Sequence, residues 1–171
     1  MAAYRILPVR TDDDLKATAA LFAAYAASLP IDLDYQDFDA ELAGLPGKYA
    51  PPKGELLLAR GADGDPLGCA GLRPIASDGC CEMKRLFLAP NARGLGLGRT
   101  LAEAVIEAAR RRGYTELRLD TLPTMSAAIG LYDRMGFARI APYYAPTPPG
   151  TLFMSLKLDG SNRSPREVHT D

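Results

Sequence analysis

Residues 86–100 read Leu86-Phe87-Leu88-Ala89-Pro90-Asn91-Ala92-Arg93-Gly94-Leu95-Gly96-Leu97-Gly98-Arg99-Thr100. The apolar run closed by Pro90 reads as the end of a strand. Beyond the glycines, Leu101, Val105, Ala108 and Ala109 fall on one stripe of a helix over about 98–112, which Arg110–Arg112 and Gly113 end. Three glycines between a strand and a helix let the chain turn tightly and approach a ligand without Cβ obstruction. The helix then aims its free N–H groups and positive dipole end at the turn. Such a place suits phosphate, and Arg93 or Arg99 adds charge-assisted bonds. Two familiar phosphate loops fail on spacing. Gly-x4-Gly-Lys-Ser/Thr needs a lysine that is missing here, and in Gly-x-Gly-x-x-Gly counted from Gly94 the third place is Arg99. The dinucleotide loop also follows the first strand of its unit, whereas this one follows the fourth.

Upstream, Tyr4–Val9 reads as a strand, and Thr11 with Asp14 as a capping-box-like start to a helix reaching about Leu29, stopped by Pro30. A shorter helix is expected over Asp34–Leu42, closed by Gly44, and the proline-bearing stretch Pro46–Gly54 as loop. Glu55–Arg60 and Leu67–Pro74 flank Asp63-Gly64, a hairpin signal, and Asp78-Gly79 turns the chain into a strand over Cys80–Ala89. Downstream follow a strand at Glu116–Thr121, a helix at Ser126–Met135 closed by Gly136, and strands at Phe137–Ile140 and Leu152–Leu158. A strand–helix–strand unit after an antiparallel meander predicts an α/β (α+β) chain. Its sheet is mixed and mostly antiparallel with helices on both faces, in the order β1-α1-α2-β2-β3-β4-α3-β5-α4-β6-β7. Residues 1–158 are expected to form a single domain and 159–171 a polar tail.

With 47% apolar and 24% charged residues, the 171-residue chain has an ordinary globular balance, which excludes disordered and fibrous classes. Lys plus Arg number 20 against 21 Asp plus Glu, so it lacks the basic footprint of a nucleic-acid binder. Cys69, Cys80 and Cys81 offer neither a disulfide framework nor a Cys-x-x-Cys pair, which points to a reducing, cytoplasmic setting. The one histidine, His169, sits in the tail, leaving no material for a zinc site or a histidine-based triad; no metal is expected. The most apolar run, Ala17–Leu29, is too short to span a membrane and holds Thr18 and Ser28, and the N-terminus lacks a secretory pattern.

Arg93-x-x-Gly96-x-Gly98, after Leu86–Pro90 and before a long helix, resembles motif A of the GNAT N-acetyltransferase superfamily. Ala128-x-x-Leu131-Tyr132-x-x-x-Gly136-Phe137 resembles that family's second signature, with room for one helix and one strand between the two. The resemblance covers nearly the whole chain, the first half in pattern only. It implies that the fourth and fifth strands splay and that the pantetheine arm of acetyl-CoA lies between them. Backbone groups of Leu86, Phe87 and Leu88 would bond that arm, and Arg93, Gly94, Leu95, Gly96, Leu97 and Gly98, extending to Arg99 and Thr100, would hold the pyrophosphate. The physical logic agrees: a strand edge recognises an amide-bearing chain, and a helix N-terminus recognises phosphate.

The implied reaction is direct acyl transfer from a thioester to an amine. An amine with a pKa of about 10 is mostly protonated at neutral pH, so a base must take its proton. Glu82, four residues before Leu86, is the candidate base, and the Leu88 N–H the candidate donor to the oxyanion. Tyr132 matches the family tyrosine that protonates the departing thiolate. Arg85 is a candidate for an acceptor carboxylate, although Lys84 and Arg85, expected on opposite faces of their strand, read more simply as solvated surface charges. Many members carry asparagine seven residues before the tyrosine; here it is Met125, so Thr124 or Ser126 would supply any polar contact. Tyr143 and Tyr144, in a proline-stiffened loop running to Gly150, are candidates to line the acceptor pocket. The expected function is a cytoplasmic acetyl-CoA-dependent N-acetyltransferase for a small amine or amino-acid-like acceptor. No nucleic-acid or membrane partner is expected, and a homodimer is left open. The alternative is a non-catalytic acyl-CoA-binding sensor.

Overall fold

Runs of apolar residues punctuated by Gly, Pro and Asp become the elements of a seven-stranded sheet, ordered β1-β2-β3-β4-β5-β7-β6. The structure, a computed structural model, describes residues 3–158; the expected tail 159–171 and its His169 lie outside the described residues. The strands are β1 (Tyr4–Pro8), β2 (Glu55–Gly61), β3 (Pro66–Pro74), β4 (Cys80–Leu88), β5 (Glu116–Thr121), β6 (Ala138–Ile140) and β7 (Leu152–Lys157). The α-helices are α1 (Asp12–Ser28), α2 (Phe38–Ala43), α3 (Leu97–Arg111) and α4 (Ser126–Arg134). Every strand pair is antiparallel except β4 with β5. The sheet is therefore mixed and mostly antiparallel, as its turn signals implied.

Alternation along the strands divides the interior into two layers. Leu57, Ala59, Leu72, Met83, Leu117 and Leu119 face one way and bury Leu97, Leu101 and Val105 of α3 and Tyr132 of α4. Leu56, Leu58, Cys69 and Phe87 face the other way and bury Leu21 and Phe22 of α1 and Phe38 of α2. Each such leucine or phenylalanine contributes about 1.5–3 kcal/mol on leaving water. Helices thus cover both faces.

Two departures from the sequence reading shape the site. The helix expected over 34–42 is broken: a 3₁₀ turn at Asp34–Gln36 is followed by Asp37 at φ 56, and only then by α2. Aspartate tolerates the left-handed region, and its side chain competes for local N–H groups, as Asp32 does for the Asp34 N–H at 3.0 Å. Gln36 is thereby turned towards the sheet. The second departure is a bulge in β4. Cys69 pairs with Phe87 and Gly71 with Lys84, so Arg85 and Leu86 oppose Ala70 alone, and Arg85 stands at φ 60. An extra residue resets the alternation. The expectation that Lys84 and Arg85 stand on opposite faces fails for that reason: both point to the α1–α2 side.

Candidate active site

The parallel pairing of β4 with β5 lasts for three positions, Cys80–Glu116, Cys81–Leu117 and Glu82–Arg118. Beyond Glu82 the two strands part, while β5 goes on pairing with β7 through Thr121. The β5-facing backbone edge of residues 83–88 is left outside any ladder.

On the α3–α4 side of the split lies a groove of about 460 Å³. Leu86, Phe87 and Leu88 form one wall, Arg93, Gly94 and Gly98 one end, and Thr124–Ala128 with Leu131 the other wall. Gly94 and Gly96 have φ of 83° and 73°, left-handed conformations that strain any residue with a Cβ. Gly96 is the N-cap of α3 and offers no side chain, so the first-turn N–H groups of a 15-residue helix face the loop uncapped. Arg93 is exposed and makes no ion pair among the described residues. The remaining residues of the predicted cradle sit differently. Leu95 is exposed, Leu97 is core, Arg99 is held by Glu103 at 2.9 Å, and the Thr100 hydroxyl donates to the Gly96 carbonyl at 3.1 Å. An unpaired strand edge, an apolar groove and an uncapped helix end after two left-handed glycines fit the pantetheine and pyrophosphate of acetyl-CoA.

On the opposite side lies a narrower cavity beneath α1 and the 34–36 turn. It shares Leu86 and Met125 with the groove, so the two openings meet there. Met125, the residue standing where the family favours asparagine, is the N-cap of α4 and caps it with no side-chain hydrogen bond; Thr124 and Ser126 line the groove. Tyr132 projects from α4 into the cavity, 6% exposed, its ring 5.5 Å from that of Phe137. Its hydroxyl makes no hydrogen bond among the described residues. Burial pushes that hydroxyl well above the ordinary phenol range, with Tyr25 and the charge of Asp120 acting the same way, so it keeps its proton at neutral pH.

The polar wall is built around Asp120, a residue that sequence reading passed over. Lys84 Nζ lies 3.1 Å from its Oδ1, while its Oδ2 accepts from the Tyr144 hydroxyl at 2.7 Å and from Gln36 Nε2 at 3.2 Å. Arg85 also lines the cavity, but its guanidinium is taken: Glu41 accepts from it at 3.0 and 3.1 Å and Gln36 Oε1 at 2.7 Å. Burial opposes the Arg85 charge, and Glu41 more than offsets it, raising the guanidinium above its usual range. Lys84 and Arg85 are each 5% exposed, which overturns their reading as solvated surface charges.

Glu82 lies one step away. It is 1% exposed, accepts from Arg73 Nε at 2.9 Å and from the Tyr143 hydroxyl, and is absent from the cavity wall. Tyr143 and Tyr144 pack on each other and on Phe153, and burial raises both phenols. Burial also pushes Tyr35 on the cavity wall up to about 12, with Asp120 adding to it. The Thr121 hydroxyl, on the same wall, is buried without a partner. Among the described residues no group of histidine, cysteine and acidic side chains is arranged for a metal, and no helix is long and apolar enough to cross a membrane.

The sequence profile of the Acetyltransferase (GNAT) family matches residues 18–137. The chain belongs to that family. An uncharacterized N-acetyltransferase of Schizosaccharomyces pombe is 39% identical over 153 residues, covering 90% of this chain and 94% of its own. An aminoglycoside N(6')-acetyltransferase of Klebsiella aerogenes is 34% identical over 143 residues, covering 80% and 90%. A Salmonella typhimurium protein, its structure determined with its cofactor acetyl-CoA, shares the fold at a TM-score of 0.68 and 23% identity, covering 92% of this chain and 95% of its own. In this GNAT chain the two signature segments face each other, with Gly98 of α3 set between Leu88 and Leu131: a Cβ at that position would lie 3.6 and 3.8 Å from them.

Proposed function

We propose that the protein is an acetyl-CoA-dependent N-acetyltransferase that passes the acetyl group directly to an amine of a small acceptor. The observation that carries this reading is the meeting of groove and cavity at Leu86 and Met125, with Tyr132 in the cavity beside that junction. Bound acetyl-CoA supplies the thioester. The loop from Arg93 to Gly98 holds its pyrophosphate, and the free edge at Leu86–Leu88 holds the pantetheine amides and sets the acyl carbon at the junction. The Leu88 N–H stabilises negative charge developing on the acyl oxygen. Tyr132, kept protonated by burial, gives its proton to the departing sulfur.

The amine enters from the cavity side. Asp120 is the carboxylate on that wall and is assigned as its base; Glu82, held between Arg73 and Tyr143, would act only through Tyr143 or an intervening water. Tyr144 orients Asp120, and Arg85 shapes the wall through Glu41 and Gln36. The thiols of Cys69, Cys80 and Cys81 are free and buried, in keeping with the reducing cytoplasm in which we place the enzyme.

Calorimetric titration with acetyl-CoA, CoA, NAD and ATP, followed by thiol release with a panel of amines, tests the reading. Acetyl-CoA and CoA should bind much more tightly than NAD or ATP, and some amine should accelerate thiol release. Tighter NAD binding would overturn the cofactor assignment. Acetyl-CoA binding with no turnover on any amine would leave a sensor in place of an enzyme.

A further inference from the structure

The charged groups around the cavity are paired before any acceptor arrives. Lys84 holds Asp120 with side chains 4% and 6% exposed, Arg85 holds Glu41, and Arg73 holds Glu82. A simple ammonium that approached Asp120 would place a second cation on a carboxylate already shared with Lys84. The buried site would then carry an uncompensated positive charge, which low-dielectric surroundings penalise heavily. An acceptor that brings its own carboxylate restores neutrality.

We propose that the acceptor is a free α-amino acid with an uncharged, apolar side chain. Its ammonium lies on Asp120 and its carboxylate on Lys84. The proposal rests on the N-acetyltransferase reading above and names the substrate class for the same site.

Geometry supports it. The Lys84–Asp120 pair spans 3.1 Å, and the amine nitrogen and a carboxylate oxygen of an α-amino acid are roughly 3 Å apart, so the two dipoles lie side by side in opposite sense. A separate observation also points to a ligand. Thr121 Oγ1, in a residue 6% exposed on the same wall, has no hydrogen-bond partner among the described residues. An acceptor oxygen satisfies it. The wall under α1 is Tyr25, Leu29 and Leu33, which suits an apolar side chain, and every cation and anion nearby is already paired.

The step balances. Nitrogen attacks the acyl carbon and the C–S bond breaks. Of the three ammonium protons, one stays on the amide, one replaces the proton that Tyr132 gives to sulfur, and one leaves through Asp120.

The test is kcat/KM by thiol release for leucine and phenylalanine against their amides, the matching amines without a carboxylate, and lysine and glutamate. The free apolar amino acids should exceed their amides and amines by roughly tenfold or more, the usual worth of one charge-assisted contact. An α-amine next to an amide loses its proton more readily, with a pKa of about 8, so a preference for the acid reports binding and not basicity. Lys84→Met should bring the acid-to-amide ratio towards one, and Lys84→Arg should keep the preference. Equal turnover of acids and amides by the wild type overturns the proposal and leaves an N-acetyltransferase, as does a preference that survives Lys84→Met in a variant with native circular dichroism. Should that variant unfold, the wild-type panel alone decides. Silence on the whole panel overturns this proposal and the enzymatic reading together.

Discussion

At the scale of single residues, proton transfer falls to two groups with opposite habits. Tyr132 is a phenol that burial keeps protonated, and its hydroxyl bonds nothing else in the described chain. Tyr132→Phe should therefore leave folding and cofactor affinity nearly unchanged and lower kcat by about 10²–10⁴-fold, as for loss of a general acid. Steady-state kinetics beside calorimetry checks this, and an unchanged kcat would remove Tyr132 from the chemistry. Asp120 and Glu82 are separated by a paired comparison. Asp120→Asn should cut kcat/KM by roughly 10²-fold or more, most deeply below the acceptor's own pKa, where the amine still carries its proton. Above that pKa the free amine is abundant and the defect should shrink. Glu82→Gln should cost mainly stability, on the order of 1–3 kcal/mol, by weakening the holds on Arg73 and Tyr143. A pH profile of kcat/KM for both variants, with denaturant melts, decides. A deep, pH-dependent defect in Glu82→Gln with a mild one in Asp120→Asn would return the base to Glu82.

Among elements, the decisive one is the loop that ends β4 and begins α3. Gly96→Glu puts a Cβ at φ 73 and a negative charge at an uncapped helix end. Strain should cost about 1–2 kcal/mol, and calorimetry should find CoA binding abolished while circular dichroism stays native-like. Normal CoA binding by the folded variant would place the phosphates elsewhere. This loop was legible in the sequence because glycines, Pro90 and the apolar stripe from Leu101 are local signals, and the turn residues Asp63-Gly64 and Asp78-Gly79 marked the meander in the same way. What stayed hidden is imposed by tertiary contacts. Arg85 at φ 60 is locked by Glu41, 44 positions earlier, and by Gln36, and no local pattern announces it. Asp120 reads as one more polar position on an alternating strand; only the parting of β4 from β5 turns it into a cavity wall. Tyr132 was legible through its motif, whereas the burial of Lys84 depended on the bulge.

For the molecule as a whole, the α1–α2 face of the sheet buries an unusual density of phenols and ion pairs, and this sets its response to alkali. Burial is the largest cause raising Tyr49, Tyr132, Tyr143 and Tyr144 above the ordinary phenol range; nearby carboxylates add to it, Glu41 at Tyr49, Glu82 at Tyr143 and Asp120 at Tyr132 and Tyr144. In the unfolded chain the same phenols titrate near 10. Above that pH the unfolded state binds fewer protons than the folded one, so stability falls as pH rises, by up to about 1.4 kcal/mol per pH unit for each such tyrosine. Below pH 10 both states hold these protons and the contribution is flat. The guanidinium of Arg85, raised by Glu41, stays charged throughout and does not soften the loss. Four such tyrosines acting together should unfold the protein cooperatively between about pH 10 and 12. Tyrosinate absorbance and far-ultraviolet circular dichroism, followed together from pH 8 upward, should show most of the tyrosinate appearing in the same narrow step as the loss of helix. Tyrosinate that accumulates smoothly around pH 10 while the dichroism stays native would mean that these phenols are open to water and that the cavity is not the dry, paired site described above.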